Sequence, residues 1–332
     1  MNYFSGDTFC EAFAAAYFPE QTVKPTLFKH RDSLWKIPAV DGIKPISDFP
    51  FQSSYVDFFE PCTTADDSQQ NSASSIKFIP RASHGLITAD EWHDRELEEI
   101  YEPAPTIVWD NFASWDAFVK HVRAKRSNMF SDSRRRCRKL SKEVGPVEFI
   151  YDDRRASVLE ACMRWKSEQY RRSGFIDTFS FEEHIQFFKE MAQRGVIVVS
   201  SLNCGDQLIA AEIDIFANNR LGLWVPAYDP EYSRYAPGRL LLLFVIEESF
   251  KRDHSEFDFL IGNETYKWYY ATHARLIGEI GQRPLSTRAK QALRTSVKSA
   301  LLLAISPFPN LQPKLKASFE AFNAKMYELS SK

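Results

Sequence analysis

One stretch of the sequence, residues 235–270, strongly limits the folds that this chain can adopt. It reads as a Pro-Gly turn, an apolar helix, a short strand and a final segment with a carboxylate, a phenol and an ammonium. A turn that opens a helix leaves backbone N–H groups unpaired at the positive end of the helix dipole, which suits an anion. Such a turn, with polar side chains after the next strand, is typical of group-transfer sites in α/β proteins.

Length and composition indicate a soluble globular protein with a large core. A chain of 332 residues is more typical of two domains than of one. The net charge of −2 gives no general attraction to nucleic acid or to an anionic membrane. The five cysteines share no close spacing and the seven histidines have no partner at ligand spacing, so we expect a reducing compartment and no zinc. Neither a signal peptide nor a membrane-spanning apolar run is visible, and we therefore expect a cytoplasmic protein.

The first 125 residues have a less regular pattern than the rest of the chain. We predict a helix at 9–18, a hairpin of 26–30 and 33–38, a polar loop at 65–75, strands at 76–79 and 106–109, and a helix at 115–126 capped by Ser114.

The pattern becomes clearer from about residue 130. We predict a basic helix at 131–143, a strand at 147–151, helices at 155–172 and 181–194 (the second capped by Ser180), strands at 196–202, 207–216 and 220–227, a helix at 239–252, a strand at 257–261, a helical segment at 264–273 and a strand at 276–281. Asn and Gly between the three consecutive strands indicate tight hairpins, and hence an antiparallel meander.

This order of elements resembles the GNAT acyltransferase fold over about residues 130–282, roughly half of the chain. The motifs are similar to the CelD-like branch of cellulose and exopolysaccharide biosynthesis, which is related to the FemAB aminoacyltransferases: Pro237-Gly238-Arg239-Leu240-Leu241, Phe257-Asp258-Phe259, Gly262-Asn263-Glu264 and Tyr266-Lys267. The resemblance implies an α/β fold with a mixed, largely antiparallel sheet flanked by helices. Because this branch often joins two units in tandem, it also implies a degenerate GNAT-like unit at 1–125, an acyltransferase domain at 126–284 and a helical tail at 285–332.

The sequence departs from the family pattern at two places. The superfamily's pyrophosphate loop reads Gln/Arg-x-x-Gly-x-Gly/Ala, whereas this chain has Tyr235 at the first position and Leu240 at the last. The missing second small residue weakens the case for acyl-CoA as the donor. The branch usually has an acidic residue where this chain has Asn263, but Glu264 beside it is retained.

Nine residues are candidates for the site. Pro237, Gly238, Arg239 and Leu240 would bind the phosphates of the donor, and Glu264 or Asp258 would act as base. The resemblance gives most of the weight to Tyr266, which would protonate the leaving thiolate, and to Lys267, which would bind a phosphate or carboxylate of a substrate. His273 is a substrate-binding candidate because it lies seven residues after Tyr266 and would share its helix face. Each residue also has a structural alternative. The Pro-Gly pair is common at ordinary turns, a buried carboxylate can serve a structural hydrogen bond, and Tyr266 can seal a helix onto the sheet. The basic run at 134–139 is either a solvated helix face or a site for an anionic ligand.

We therefore expect an acyltransferase that moves an acyl group from acyl-CoA, without a metal, to an amine or hydroxyl of a small molecule or an envelope-polysaccharide precursor. Two alternatives stay open. One is FemAB-like aminoacyl transfer from charged tRNA, and the other is a non-catalytic binding module of a polysaccharide-synthesis system. Apart from tRNA, the charge gives no reason to expect nucleic acid as a partner.

Overall fold

The computed structural model describes residues 3–49, 52–62, 73–92 and 95–283. Its helices are α1 (Asp7–Tyr17), α2 (Ala89–Trp92), α3 (Arg95–Ile100), α4 (Trp115–Lys125), α5 (Met129–Glu143), α6 (Ala156–Ser173), α7 (Glu182–Gln193), α8 (Pro237–Lys251) and α9 (Thr265–Trp268). Its strands are β1 (Val23–His30), β2 (Ser33–Val40), β3 (Lys44–Pro45), β4 (Ser74–Ser75), β5 (Phe78–Thr88), β6 (Glu102–Val108), β7 (Val147–Ile150), β8 (Ile197–Cys204), β9 (Gln207–Ala217), β10 (Arg220–Tyr228), β11 (Glu256–Asp258) and β12 (His273–Gly281).

The main sheet has eight strands in the order β5-β12-β6-β11-β10-β9-β8-β7. Strands β10 and β11 are parallel, and every other neighbouring pair of this sheet is antiparallel. A smaller sheet, in the order β3-β2-β1-β4, contains the predicted N-terminal hairpin. The expected class, an α/β fold with a mixed, largely antiparallel sheet flanked by helices, is confirmed.

Strands from the first 125 residues complete the main sheet. Strand β6 pairs with both β11 and β12, and β5 pairs with β12. The sheet is therefore continuous across the predicted boundary at 125/126, and the division into two GNAT-like units stays a prediction.

The main sheet separates two large hydrophobic clusters. One cluster combines α1, α6 and α7 with alternate residues of β8 and β9, such as Val199 and Ile213. The other combines α4, α5 and α8 with residues that include Leu202 and Leu221. Because alternate strand residues face opposite sides of a sheet, the two clusters lie on opposite faces.

Local sequence signals explain several helix ends. The hydroxyl of Ser114 accepts a hydrogen bond from the N–H of Ala117, which confirms the predicted cap of α4. Helix α6 ends at Gly174, whose φ of +71° suits glycine. The predicted cap of α7 by Ser180 is wrong, because this hydroxyl donates to the carbonyl of Asp177 and α7 begins at Glu182 after Phe181.

The segment after β11 differs from the prediction. Strand β11 ends at Asp258 because Leu260 and Gly262 have φ values of +55° and +140°, which an extended strand does not allow. The predicted helical segment at 264–273 is wrong beyond Trp268, since β12 already begins at His273.

Two predicted segments lie largely outside the described residues. They are the polar loop at 65–75, of which only the last residues including β4 are described, and the helical tail at 285–332. Within the described ranges, no helix combines the length and apolarity needed to cross a bilayer.

Candidate functional site

The main sheet opens between β10 and β11. Strand β10 pairs with β11 over Arg220–Gly222, and within the described residues no strand pairs with that edge of β10 from Leu223 to Tyr228. The pairing of β10 with β9 shifts register between Leu223 and Val225, where the strand bulges. We call the space between Leu223–Tyr228 and Phe259–Glu264 the opening.

The far wall of the opening is held by β6. After β11, the N–H groups of Phe259 and Gly262 donate to the carbonyls of Pro105 and Pro103, each at 2.9 Å. Helix α8 connects β10 to the parallel β11, so the opening lies at the carboxyl ends of two parallel strands. Ligand sites of α/β proteins concentrate at this location.

The Pro-Gly turn stands at the start of α8, directly beyond β10. Ala236 adopts φ +55° and its carbonyl accepts from the N–H groups of Arg239 and Leu240, so these two donors are occupied. The expectation of several unpaired donors is therefore wrong. Among the described residues, the N–H of Gly238 has no hydrogen-bond partner. A Cβ at Gly238 would lie 3.3 Å from the ring of Tyr228, so glycine allows this ring to pack on the turn.

The basic helix α5 adds positive charge to the same turn. Asp132 pairs with Arg135 at 2.6 Å, Arg136 at 2.9 Å and Arg239 at 2.5 Å. Hydrogen bonds from Arg136, Arg135 and Arg239 lower the pKa of Asp132, so this carboxylate is charged. Three guanidiniums share one carboxylate, and the cluster therefore keeps an excess positive charge. We call these four residues the arginine cluster.

Glu264 and Lys267 meet at the far wall of the opening, 2.9 Å apart. The ammonium of Lys267 also donates to the carbonyls of Leu260 at 3.4 Å and Ile261 at 3.0 Å. An ammonium has three N–H donors, so this buried side chain has used all of them. A Cβ at Gly262 would meet both side chains of the pair, which explains glycine there.

Glu264 is ionised at neutral pH. Partial burial raises its pKa, but the hydrogen bond and the charge of Lys267 outweigh that effect and leave the pKa below its usual value. Its side chain is 59% exposed, so a ligand can reach it.

Tyr266 lies beside Glu264 and packs on the side of the sheet that α8 covers. Its ring packs edge-on against Phe259, a member of the α8-side cluster. Burial, followed by the charge of Glu264, raises the pKa of the phenol, so it keeps its proton at neutral pH. The residue as a whole remains 37% exposed.

Asp258 is fully buried and belongs to an ion network. One of its oxygens accepts from the N–H of Leu260 at 2.8 Å, and the other lies 3.7 Å from Arg275. Arg275 also pairs with Glu256 and Glu60, as does Arg220. Burial raises the pKa of Asp258 to about 6. The structure thus places Asp258 behind the opening, in a network that joins β10, β11, β12 and the 52–62 segment.

His273 begins β12 and is separated from Glu264. Its register partners are Thr88 of β5 and Thr106 of β6, and its ring nitrogen contacts the hydroxyl of Thr272 at 2.9 Å. None of the contacts in the described part of the chain joins His273 to the Glu264–Lys267 pair. The sequence prediction that grouped them relied on a helix that ends at Trp268.

Two features near the opening were missed by the sequence reasoning. Lys166 of α6 donates to the carbonyl of Pro226, in the unpaired half of β10, at 3.3 Å. Glu212 and Asp214 are both fully buried on β9, opposite Pro226 and Leu223. The sequence contains two features that could have indicated them. One is a lysine four residues after Cys162 on an apolar helix face, and the other is a pair of carboxylates at alternate positions of an apolar strand.

A family described as acetyltransferase (GNAT) domain matches residues 127–268. No curated protein gives a significant match.

Three of the similar solved structures are FemX, L-PGS from Bacillus licheniformis and a tandem GNAT protein from the clavulanic acid biosynthesis pathway. The TM-scores are 0.48, 0.43 and 0.33, and the identities are 10%, 9% and 8%. The matches cover 84%, 90% and 76% of this chain and 91%, 98% and 79% of those chains. The residues matched by the acetyltransferase (GNAT) domain family, 127–268, include both strand edges of the opening, the Pro-Gly turn and the Glu264–Lys267 pair.

Proposed function

We propose that this protein transfers an acyl group from acyl-CoA to an amine or hydroxyl of a small molecule or an envelope-polysaccharide precursor. The observation that supports this most directly is the opening between β10 and β11. It has an excess of positive charge at the turn after β10 and a carboxylate and a phenol at the wall after β11. A CelD-like assignment and a cytoplasmic location are part of the proposal.

The donor would lie along β10. Its phosphates would approach the N–H of Gly238 and the arginine cluster, where Arg239 has a buried Nε atom without a hydrogen-bond partner among the described residues. The thioester would then reach the unpaired edge of Leu223–Tyr228, where the backbone N–H groups of residues other than Pro226 can polarise a carbonyl. The guanidiniums and the N–H of Gly238 fit the phosphates of such a donor, and the N–H groups of the strand edge fit its thioester carbonyl.

The transfer would be direct. Glu264 removes a proton from the acceptor, the acceptor nitrogen or oxygen attacks the thioester carbon, and the carbon–sulfur bond breaks. Tyr266 donates its proton to the leaving thiolate. Lys267 would hold Glu264 in place, because its three donors are already used.

A turnover assay tests the proposal. The purified protein is incubated with acetyl-CoA and a panel of amines and alcohols, and release of free CoA is followed. We expect acceptor-dependent release that is lost in Glu264→Gln and kept in Glu20→Gln, a change at an exposed carboxylate of the N-terminal part. Release that is equal in both variants would exclude Glu264 as the base.

Aminoacyl transfer from charged tRNA is a second candidate. It is favoured by Leu240, which is buried and fills the second small-residue position of the pyrophosphate loop, and by the two N–H groups of the turn that are already occupied. The two donors can be compared by their effect on the melting temperature, since a ligand that binds the native state raises it. A rise with charged tRNA and none with acetyl-CoA would favour this candidate.

A further inference from the structure

Lys166 places a positive charge on the acceptor side of the opening. It belongs to α6, on the face of the sheet opposite α8 and the arginine cluster. A donor whose phosphates lie at the arginine cluster therefore leaves the α6 side of the opening free for the acceptor. This step rests on the proposed function.

The ammonium of Lys166 has unused donors. Lys166 donates one hydrogen bond, to the carbonyl of Pro226. Among the described residues, no carboxylate lies within ion-pair distance of its ammonium. The ammonium also lies 5.3 Å from the centre of the Tyr170 ring. Since an ammonium has three N–H donors, Lys166 can bind a further acceptor group, in contrast to the saturated Lys267.

The surroundings of Lys166 favour a ligand with a single negative charge. Partial burial lowers the pKa of Lys166, so its charged form gains from a nearby anion. Cys162 one turn earlier cannot supply that anion, because burial raises the pKa of its thiol and keeps it neutral. The charge of Glu264 at the far wall raises the pKa of the same ammonium, and the charge of Lys267 beside Glu264 lowers it. Repulsion from the Glu264 carboxylate is about half as strong for a singly charged ligand carboxylate as for a doubly charged phosphate at the same distance.

We propose that the acceptor is an amino acid or a related amine with a carboxylate, and that Lys166 binds the carboxylate while Glu264 receives the amine. Lys166 and Glu264 present opposite charges across the opening, which matches the two opposite charges of an amino acid. The acceptor would be oriented by both ends, with its nitrogen directed to the thioester.

The test compares free amino acids with their carboxamides as acceptors of acetyl-CoA in the CoA-release assay. Wild-type protein should prefer the free acids by roughly ten- to a hundredfold in kcat/KM, the ratio for losing a hydrogen bond to a charged group. Lys166→Met should remove this preference mainly through KM, and Lys166→Arg should retain it. Lys251→Met is the matched control, because this exposed lysine is paired with Glu247 on α8. The Lys251→Met variant should prefer free acids over carboxamides as strongly as the wild type does.

Three outcomes would overturn the inference. Equal use of acids and carboxamides, or a preference that persists in Lys166→Met, would show that Lys166 does not bind the acceptor, while turnover itself would still support the acyltransferase proposal. If the protein showed no turnover and calorimetry detected no binding of acetyl-CoA, both the role of Lys166 and the acyltransferase proposal would be refuted.

Discussion

Replacing Glu212 by Gln should stabilise the protein, and more so as the pH rises. Glu212 and Asp214 are fully buried, and apart from each other their carboxyl groups have no hydrogen-bond partner among the described residues. Burial, together with the proximity of the two carboxyls, raises the pKa of Glu212 well above its usual value, and burial also raises that of Asp214. The folded pair therefore keeps at least one proton at a pH where the unfolded chain has lost it.

The sign and size follow from this difference in bound protons. Because the folded pKa values of these two acids are raised, the contribution of the pair to the stability of the wild type is greatest at low pH and falls once the pH exceeds the unfolded pKa. Each retained proton costs about 1.4 kcal/mol per pH unit. Gln removes one ionisable group, and its amide can donate to Asp214. The gap in free energy of unfolding between variant and wild type should therefore widen by up to about 2.7 kcal/mol from about pH 5.5 to about pH 7.5.

Urea unfolding at several pH values measures this gap. Asp214→Asn should behave like Glu212→Gln, and Glu20→Gln, at an exposed position, should give no pH-dependent gap. A gap that stays constant or narrows with rising pH would show that the native pair does not retain a proton, and the reasoning would be refuted.

Three further predictions concern the opening and its support. Glu264→Gln should lower kcat by roughly two to four orders of magnitude, and Tyr266→Phe should lower kcat more than it raises KM, in steady-state CoA release; wild-type rates in both would remove them from the reaction. Gly262→Ala should cost about 1–3 kcal/mol in urea unfolding, because its φ of +140° is unsuited to a side chain, whereas Gly6→Ala, with open space around it, should cost much less. Arg275→Met should cost about 3–5 kcal/mol, since it removes the ion-pair partner of the fully buried Asp258 and leaves Glu256 and Glu60 with Arg220 alone, and a neutral result would show that Asp258 is protonated instead.

Local chemistry explains which parts of the fold could be predicted from the sequence. Ser114 caps α4, Gly174 ends α6, and Asn and Gly turns join β8, β9 and β10, as expected. Each of these features depends on residues close together in the chain. The same holds for the Pro-Gly turn that starts α8.

Contacts between distant segments explain what the sequence did not reveal. The ion network links Glu60, Arg220 and Arg275, which are far apart in the chain, and it is this network that contains Asp258. Lys166 reaches the opening because α6 packs on β10, a contact without a local signal. The unpaired half of β10 depends on the early end of β11, which results from the positive φ of Leu260. A periodic pattern does not report any of these features.

Calorimetric titration with acetyl-CoA, comparing wild type with Gly238→Val, tests the central claim most directly. A valine side chain at this position would displace the exposed ring of Tyr228 slightly and block the approach of an anion to the turn, but Gly238 has no positive φ that valine would strain. We expect wild-type protein to bind acetyl-CoA, and Gly238→Val to lose this binding with a nearly unchanged melting temperature. Equal affinity in the two proteins would contradict a phosphate site at the Pro-Gly turn, and no binding by the wild type would contradict acyl-CoA as the donor.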